Sequence, residues 1–289
     1  MANETTTASL NDLIKSEAIE QLILQANRPA QVHQAIAWER DAKNAGSGTY
    51  KFPKWDGVSV PAGAKAEVAA FTIVEQTTSS ASATAGLVGM GAILSEEAEQ
   101  DALKTLADLI MQNLDAAMER ATKDACSLFT SATNTTNLGN VAFSMTGFGV
   151  AKAAFKAQNP RGTRMAFVGS NAALRGLEAD MRSVGASINA NPQYSAVQIL
   201  NSAIQGFRGV YEGFEIYETG LCPDNAADTI SSAFLMAGDL GAIGLAVWRP
   251  WGHKVREAPQ IAANELYTSA RYGMCITNQA NIREVISED

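Results

Sequence analysis

Along the first half of the chain the most regular pattern is a stripe of apolar residues in steps of three or four: Leu103, Leu106, Ile110, Leu114, Ala117, Ala121, Ala125 and Leu128. No Pro or Gly interrupts it, and it predicts one long amphipathic helix over residues 95–129. Ser95 is suited to cap that helix, and Glu96, Glu97, Glu99 and Asp101 crowd the positive end of its dipole. At 1.5 Å per residue it would reach about 50 Å, a spine able to lie across a sheet.

Upstream the period shortens. Tyr50, Phe52 and Trp55 mark a strand over residues 49–55, with Pro53 pointing to an edge position. Asp56-Gly57 and Pro61-Ala62-Gly63 are turn chemistry, and the β-branched run 68–77 supplies a second strand, so the two predict a long hairpin. A hairpin standing alone is marginally stable in water, so something must cover it. Residues 77–85 form a short Ser/Thr/Ala run, and 87–94 read as a strand entering the long helix. Ahead of the hairpin, Leu13, Ile14, Ile19, Leu22 and Ile23 give residues 11–26 an imperfect helical stripe that stops at Pro29, and 31–40 predict a second short helix. This leading stretch reads as an arm with little core of its own.

Beyond residue 140 short helices and strands alternate. Phe148, Ala151, Ala154 and Phe155 share one side of a helix over 146–158. A buried strand over 164–168 leads to Ser170, which caps a helix running to about Arg182, and a Gly/Asn-rich loop follows over 183–192. Strands are expected at 214–219, 230–236, 242–248, 272–277 and 282–286. The class is α+β, with two interwoven lobes and no linker between them.

Composition excludes more than it assigns. Among 289 residues, 46% are hydrophobic and 18% charged, as in an ordinary globular chain. The net charge of −8 argues against gripping nucleic acid through a basic surface, although Arg161, Arg164 and the stretch 249–256 are locally basic. Cys126, Cys222 and Cys275 are too widely spaced for a disulfide framework or a zinc site and read as buried thiols. Residues 1–10 are polar, without the pattern of a secretory signal, and the longest apolar stretch, 240–248, is far short of a membrane span of roughly 20 residues.

The search for chemistry returns little. His33 and His253 have no ligand partners at metal-binding spacing, and Ser170 lacks the second glycine of a nucleophile elbow. The glycines of 86–91 and 238–244 do not match phosphate or dinucleotide loops and read as structural. The acids at 96–101 suit a helix start better than a cation, and the sequon at Asn134 has no meaning without export. No catalytic, cofactor-binding or metal residue is assigned.

Read in order, these elements resemble the major capsid proteins of tailed bacteriophages, the family with the HK-ninety-seven-like fold. The likeness runs from about Asn11 to Ser287 and lies in order and spacing. The hairpin from Thr49-Tyr50-Lys51-Phe52-Pro53 to Val74-Glu75 resembles the family's extended loop. Gly91-Ala92-Ile93-Leu94-Ser95-Glu96-Glu97-Ala98 resembles the entry to its spine helix, and Arg164-Met165-Ala166-Phe167-Val168-Gly169-Ser170 its axial strand and helix. Tyr211-Glu212-Gly213-Phe214 with Pro223, Ala237-Gly238-Asp239, and Arg271-Tyr272-Gly273-Met274 are similar to later family marks.

The resemblance implies an arm at 1–48, an extended hairpin and peripheral strand at 49–94, and a spine helix with peripheral domain at 95–140. It implies an axial domain at 141–262 and peripheral return strands at 263–289. The implied function is a shell subunit, not an enzyme, that assembles with copies of itself into hexamers and pentamers around double-stranded DNA, without sequence-specific binding and without a membrane. Only some forty residues precede the hairpin, too few for a fused scaffold, which implies a separate scaffolding protein; a portal is a further implied partner. Arm and hairpin would reach to neighbours, with Phe52, Trp55, Phe71 and Ile73 as subunit contacts and the loop 183–192 near the symmetry axes. The expected location is the virion, after assembly in the host cytoplasm. The alternatives are an encapsulin, a nanocompartment shell of related fold holding a cargo enzyme, and, further off, an α/β enzyme with an unrecognised site.

Overall fold

The structure is a computed structural model that describes residues 31–55, 78–95, 97, 106–139, 141–158, 160, 164–185, 206–225, 229–258, 260 and 263–288. It opens with helix α1 (Val32–Ile36), strand β1 (Ala37–Asp41), and the ribbon strands β2 (Thr49–Trp55) and β3 (Thr78–Thr84). Strand β4 (Gly86–Ser95) and the long helix α2 (Leu106–Ser127) follow, then β5 (Thr135–Asn137), α3 (Met145–Ala157), β6 (Met165–Gly169) and α4 (Asn171–Gly185). The remainder is strand: β7 (Phe207–Tyr211), β8 (Phe214–Glu218), β9 (Asp224–Asn225), β10 (Thr229–Met236), β11 (Ile243–Ala258), β12 (Ala263–Ile276) and β13 (Ile282–Glu288). No described helix is long and apolar enough to cross a membrane.

Two sheets carry the architecture. One has the order β5-β13-β10-β6-β8-β7, with β9 also paired to β10; the other has the order β1-β11-β12-β4. Both faces of the first are covered, and its residues alternate between two cores as the pleat demands. Phe167, Phe214, Ile216, Phe234 and Met236 face α3 and α4 in a core with Phe143, Phe148 and Phe155. Ala166, Val168, Tyr217, Ala233 and Leu235 face the opposite way, into a core shared with α2 and the second sheet. The aromatic cluster is tight: the Phe167 and Phe234 rings are 4.7 Å apart, and Phe143 stacks on Phe167 at 5.1 Å. Such pairs add about 0.5–1.5 kcal/mol each to the burial of their area.

Local chemistry explains several element ends. Ser144 Oγ accepts from Gly147 N at 3.1 Å to open α3, and Ser170 Oγ accepts from Ala173 N at 3.1 Å to open α4, the capping role expected of it. Glu212 and Gly213 both have positive φ, 48° and 86°, the two-residue turn whose twist matches the hairpin β7–β8. The apolar stripe of α2 is buried at Ile110, Leu114, Ala117, Ala121 and Ala125 as the spacing predicts. Of the start expected at 95, Ser95 ends β4, Glu97 is helical, and 98–105 lie outside the described residues.

Tertiary contacts overrule the sequence pattern in four places. The helix expected over 31–40 ends at Ile36, and Ala37–Asp41 runs as a strand parallel to β11, Ala37 opposite Ile243 and Asp41 opposite Val247. Pairing and the burial of Trp38 outweigh a weak helical pattern there. The Ser/Thr/Ala run, read without an element of its own, is a strand at Thr78–Thr84, where Ala81 and Ala83 stand opposite Phe52 and Tyr50, while the strand expected at 68–77 lies outside the described residues. Strands β11 and β12 are far longer than expected, because two bulges absorb Arg249 to Gly252 and let the ladder continue past Pro250. Finally, β11 joins the four-stranded sheet and β13 pairs with β10 in the other, so the segment borders expected at 262 and 263 do not follow the sheets.

Candidate assembly surfaces

The ribbon is rooted on the four-stranded sheet, on the face away from α2. Its base is fixed by Phe52, fully buried with Trp38, Ala42, Ala83 and Ala246. The Trp38 and Phe52 rings lie 5.2 Å apart, and Tyr50 meets Phe52 edge-on at 5.0 Å. Two glycines permit the approach. A Cβ on Gly244 would stand 2.8 Å from the Phe52 ring, and one on Gly273 would strike the Thr84 carbonyl. Trp248 Nε1 donates to the Ser47 carbonyl at 3.0 Å and Ala85 N to the Gly48 carbonyl at 2.7 Å, tying both legs down.

This placement corrects one expected contact. Phe52 cannot meet a neighbouring subunit, because it is spent inside its own chain as the ribbon's anchor. Trp55 is the last described residue of its leg, paired with Thr78. Phe71 and Ile73, and the turn residues 56–65, lie outside the described residues, as does residue 186 onward of the loop 183–192.

Strand β4 is the second feature. It is the longest strand at an open sheet edge among the described residues, and its ten residues include no charge and no proline. Natural edges usually carry such blocking features, and a long apolar edge without them invites pairing. Leu87 is 72% exposed and Ile93 64%. On this outer face the sheet registers in rows: Arg249–Arg271–Leu87, Gly252–Ser269–Gly89, Lys254–Tyr267–Gly91 and Arg256–Glu265–Ile93. Along β4 itself the middle positions of this face, Gly89 and Gly91, are small and the end positions, Leu87 and Ile93, are apolar and exposed. Four cations stand there against one carboxylate, on a chain of net charge −8. Arg249 donates to Ser269 Oγ at 2.8 Å, and Tyr267 donates its hydroxyl proton to Glu265 at 2.7 Å, a bond that raises the phenol's pKa.

Elsewhere the polar groups serve the subunit itself. Arg164 forms paired bonds to Glu215 at 2.9 and 3.0 Å, and Tyr217 donates to the same carboxylate at 2.7 Å. His33 is buried between α1 and α2, its Nδ1 2.9 Å from Thr122 Oγ1, and burial depresses its pKa to about 4. Cys126 and Cys222 are buried thiols; the hydrogen bond with Cys126, and then burial, push the Cys222 pKa well up. No group of three His, Cys, Asp or Glu side chains that could hold a metal occurs among the described residues.

The outer face was half legible. The uncharged, glycine-spaced run of β4 and the basic stretch 249–256 are both visible in the sequence, the glycines as structural and the cations as a local cluster. That they share one face with Tyr267 and Arg271 follows only from the ladder, which joins three segments far apart in the chain.

No protein-family model matches this chain, and no curated protein matches it. Solved structures do. The capsid of the cyanophage P-SCSP1u matches with a TM-score of 0.63 at 12% identity, over 91% of this chain and 89% of that one. The capsid of Ralstonia phage GP4 matches at 0.64 with 9% identity, over 90% and 89%. The capsid of cyanophage Pam1 matches at 0.63 with 12% identity, over 90% and 91%. With so little identity, what is shared is backbone architecture: this chain has the α+β fold of these phage capsid proteins.

Proposed function

We propose that this chain is the major capsid protein of a tailed-phage head, a structural subunit rather than an enzyme. The observation that carries the reading is a fold shared end to end with phage capsid proteins, about nine-tenths of both chains. The open β4 edge and the rooted ribbon are what such a subunit needs to join its copies. Closed shells arise from repeated contacts between unlike patches of one chain. Here the donor patch is the ribbon beyond Trp55, with Phe71 and Ile73, and the acceptor is the outer face around Leu87, Ile93 and Tyr267 of the next copy. Charge favours the match: residues 56–77 hold Asp56, Glu67 and Glu75 against Lys65, opposite a face with four cations. Burying apolar area there contributes about 25 cal/mol per Å².

In this reading copies assemble as hexamers and pentamers with a separate scaffolding protein and a portal, in the host cytoplasm, and the shell encloses double-stranded DNA without reading its sequence. The matched phage structures favour it over the encapsulin alternative. The test is negative-stain microscopy of the purified chain, with its scaffold, beside a variant lacking residues 56–65. Closed shells are expected from the first and not from the second. Normal shells from the deletion variant, or a stable monomer of 30.5 kDa from the intact chain under every assembly condition, would overturn the reading.

A further inference from the structure

The fold blunts its other sheet edges and leaves one bare. In the two main sheets the open edges among the described residues are β1, β5, β7 and β4. Strand β1 carries Glu39, Arg40 and Asp41, β7 carries Arg208, and β5 is only three residues long. Charge and shortness of this kind keep an edge from recruiting another strand. Strand β4 has neither: it runs ten uncharged residues, about 34 Å, with Leu87, Met90 and Ile93 exposed along it. Its middle glycines answer to their own sheet, since a Cβ on Gly89 would stand 2.9 Å from Ser269 and one on Gly91 would meet the Tyr267 ring at 3.4 Å. Nothing within one copy accounts for the missing charges.

We propose that β4 pairs antiparallel with β4 of a second copy, about a two-fold axis at Met90 perpendicular to the sheet, so that two four-stranded sheets become one of eight. The strand is complementary to itself in this register. Opposite residues of an antiparallel pair share a face, and with Met90 opposite Met90, Leu87 stands opposite Ile93 of the second copy and Gly89 opposite its Gly91. The two most exposed side chains of the strand thus cover each other, twice over. The neighbouring registers that also keep both outer faces on one side are centred on Gly89 or Gly91. They set Leu87 against Gly91 or Ser95, and Ile93 against Ala85 or Gly89. Charge agrees as well: behind Leu87 in its row stands Arg271, and behind Ile93 stands Glu265, so the seam brings opposite signs into line and keeps both one strand away from it. An isologous contact of this kind links two subunits without consuming the outer face, which stays free for a neighbour's ribbon. The inference deepens the proposed function and rests on it for the presence of neighbouring copies.

Two measurements on the full chain test it. Leu87→Cys and Ile93→Cys, each in a Cys275→Ala background, should form a covalent dimer under oxidised glutathione when the two variants are mixed. Neither should do so alone, because like positions of the two copies lie about 20 Å apart in this register. In hydrogen exchange on the unsubstituted chain, alternate β4 amides should slow on the order of tenfold or more as the concentration is raised until copies associate. Associated copies whose β4 amides exchange as in the dilute subunit overturn the proposal even if the cysteine variants fail to fold. Slowed amides without the mixed dimer overturn it too, giving the edge to a different segment. Closed shells lacking the mixed cross-link sink the pairing and leave the capsid reading standing, whereas the cross-link in a chain that never closes a shell does the reverse.

Discussion

The two sheets solve the burial problem in opposite ways. The seven-stranded sheet is finished within one chain: every residue of β10 is buried, and each face of the sheet meets its own core. The four-stranded sheet is not. One face roots the ribbon of β2 and β3, and its edge strand β4 exposes Leu87 and Ile93 to solvent. A chain able to close one sheet so completely does not leave the other open for want of apolar residues. The contrast marks the first as the foundation of the subunit and, in the function proposed above, leaves the second as the part that would meet other copies.

The comparison can be broken from either side. The largest effect is expected at Phe234, which touches Phe148, Phe155, Phe167 and Phe214 and has no exposed surface. Phe234→Ala should cost about 3–5 kcal/mol of unfolding free energy, read from urea denaturation of the unassembled subunit. A cost below about 1 kcal/mol would mean that this sheet is not the foundation.

An intermediate effect is expected at the seam, where His33 joins α1 to α2. Its folded pKa of about 4 lies below the ordinary imidazole value of 6.5, so above pH 6.5 both folded and unfolded chains hold it neutral. Between 6.5 and 4 the unfolded chain takes up a proton that the folded one refuses. Stability should therefore fall across that window as pH is lowered, by roughly 3 kcal/mol at most. His33→Gln, which keeps a polar side chain beside Thr122, should flatten that part of the pH profile. An unchanged profile would place the imidazole in solvent.

The smallest effect on folding and the sharpest on assembly belong to β4. Leu87→Ser should shift subunit stability by less than about 0.5 kcal/mol, since the side chain is already mostly in water. Yet it should lower the yield of closed particles in light scattering and microscopy. Loss of folding without loss of assembly would reverse the roles assigned to the two sheets.

Much of this was present in the residues themselves. A period of three to four, unbroken from Leu103 to Leu128, can only be satisfied by a helix, and its buried side at Ile110, Leu114, Ala117, Ala121 and Ala125 follows from 3.6 residues per turn. Ser170 announces a helix start because its hydroxyl satisfies a backbone donor that nothing else in the helix can. Thr49–Trp55 reads as strand and is strand. These are local facts, settled by neighbours in the chain.

What the sequence could not decide were the choices made by distant partners. Ala37–Asp41 becomes a strand because β11 offers it a ladder, not because Ala-Trp-Glu-Arg-Asp prefers one. Phe52 turns inward because Gly244, far away along the chain, leaves room for its ring. The four cations of the outer face come together only when β11 and β12 align across their bulges. Periodicity fixes which side of an element is apolar; only the packed structure fixes whether that side is met by its own chain or left for another, because burial is a property of pairs of surfaces and not of one.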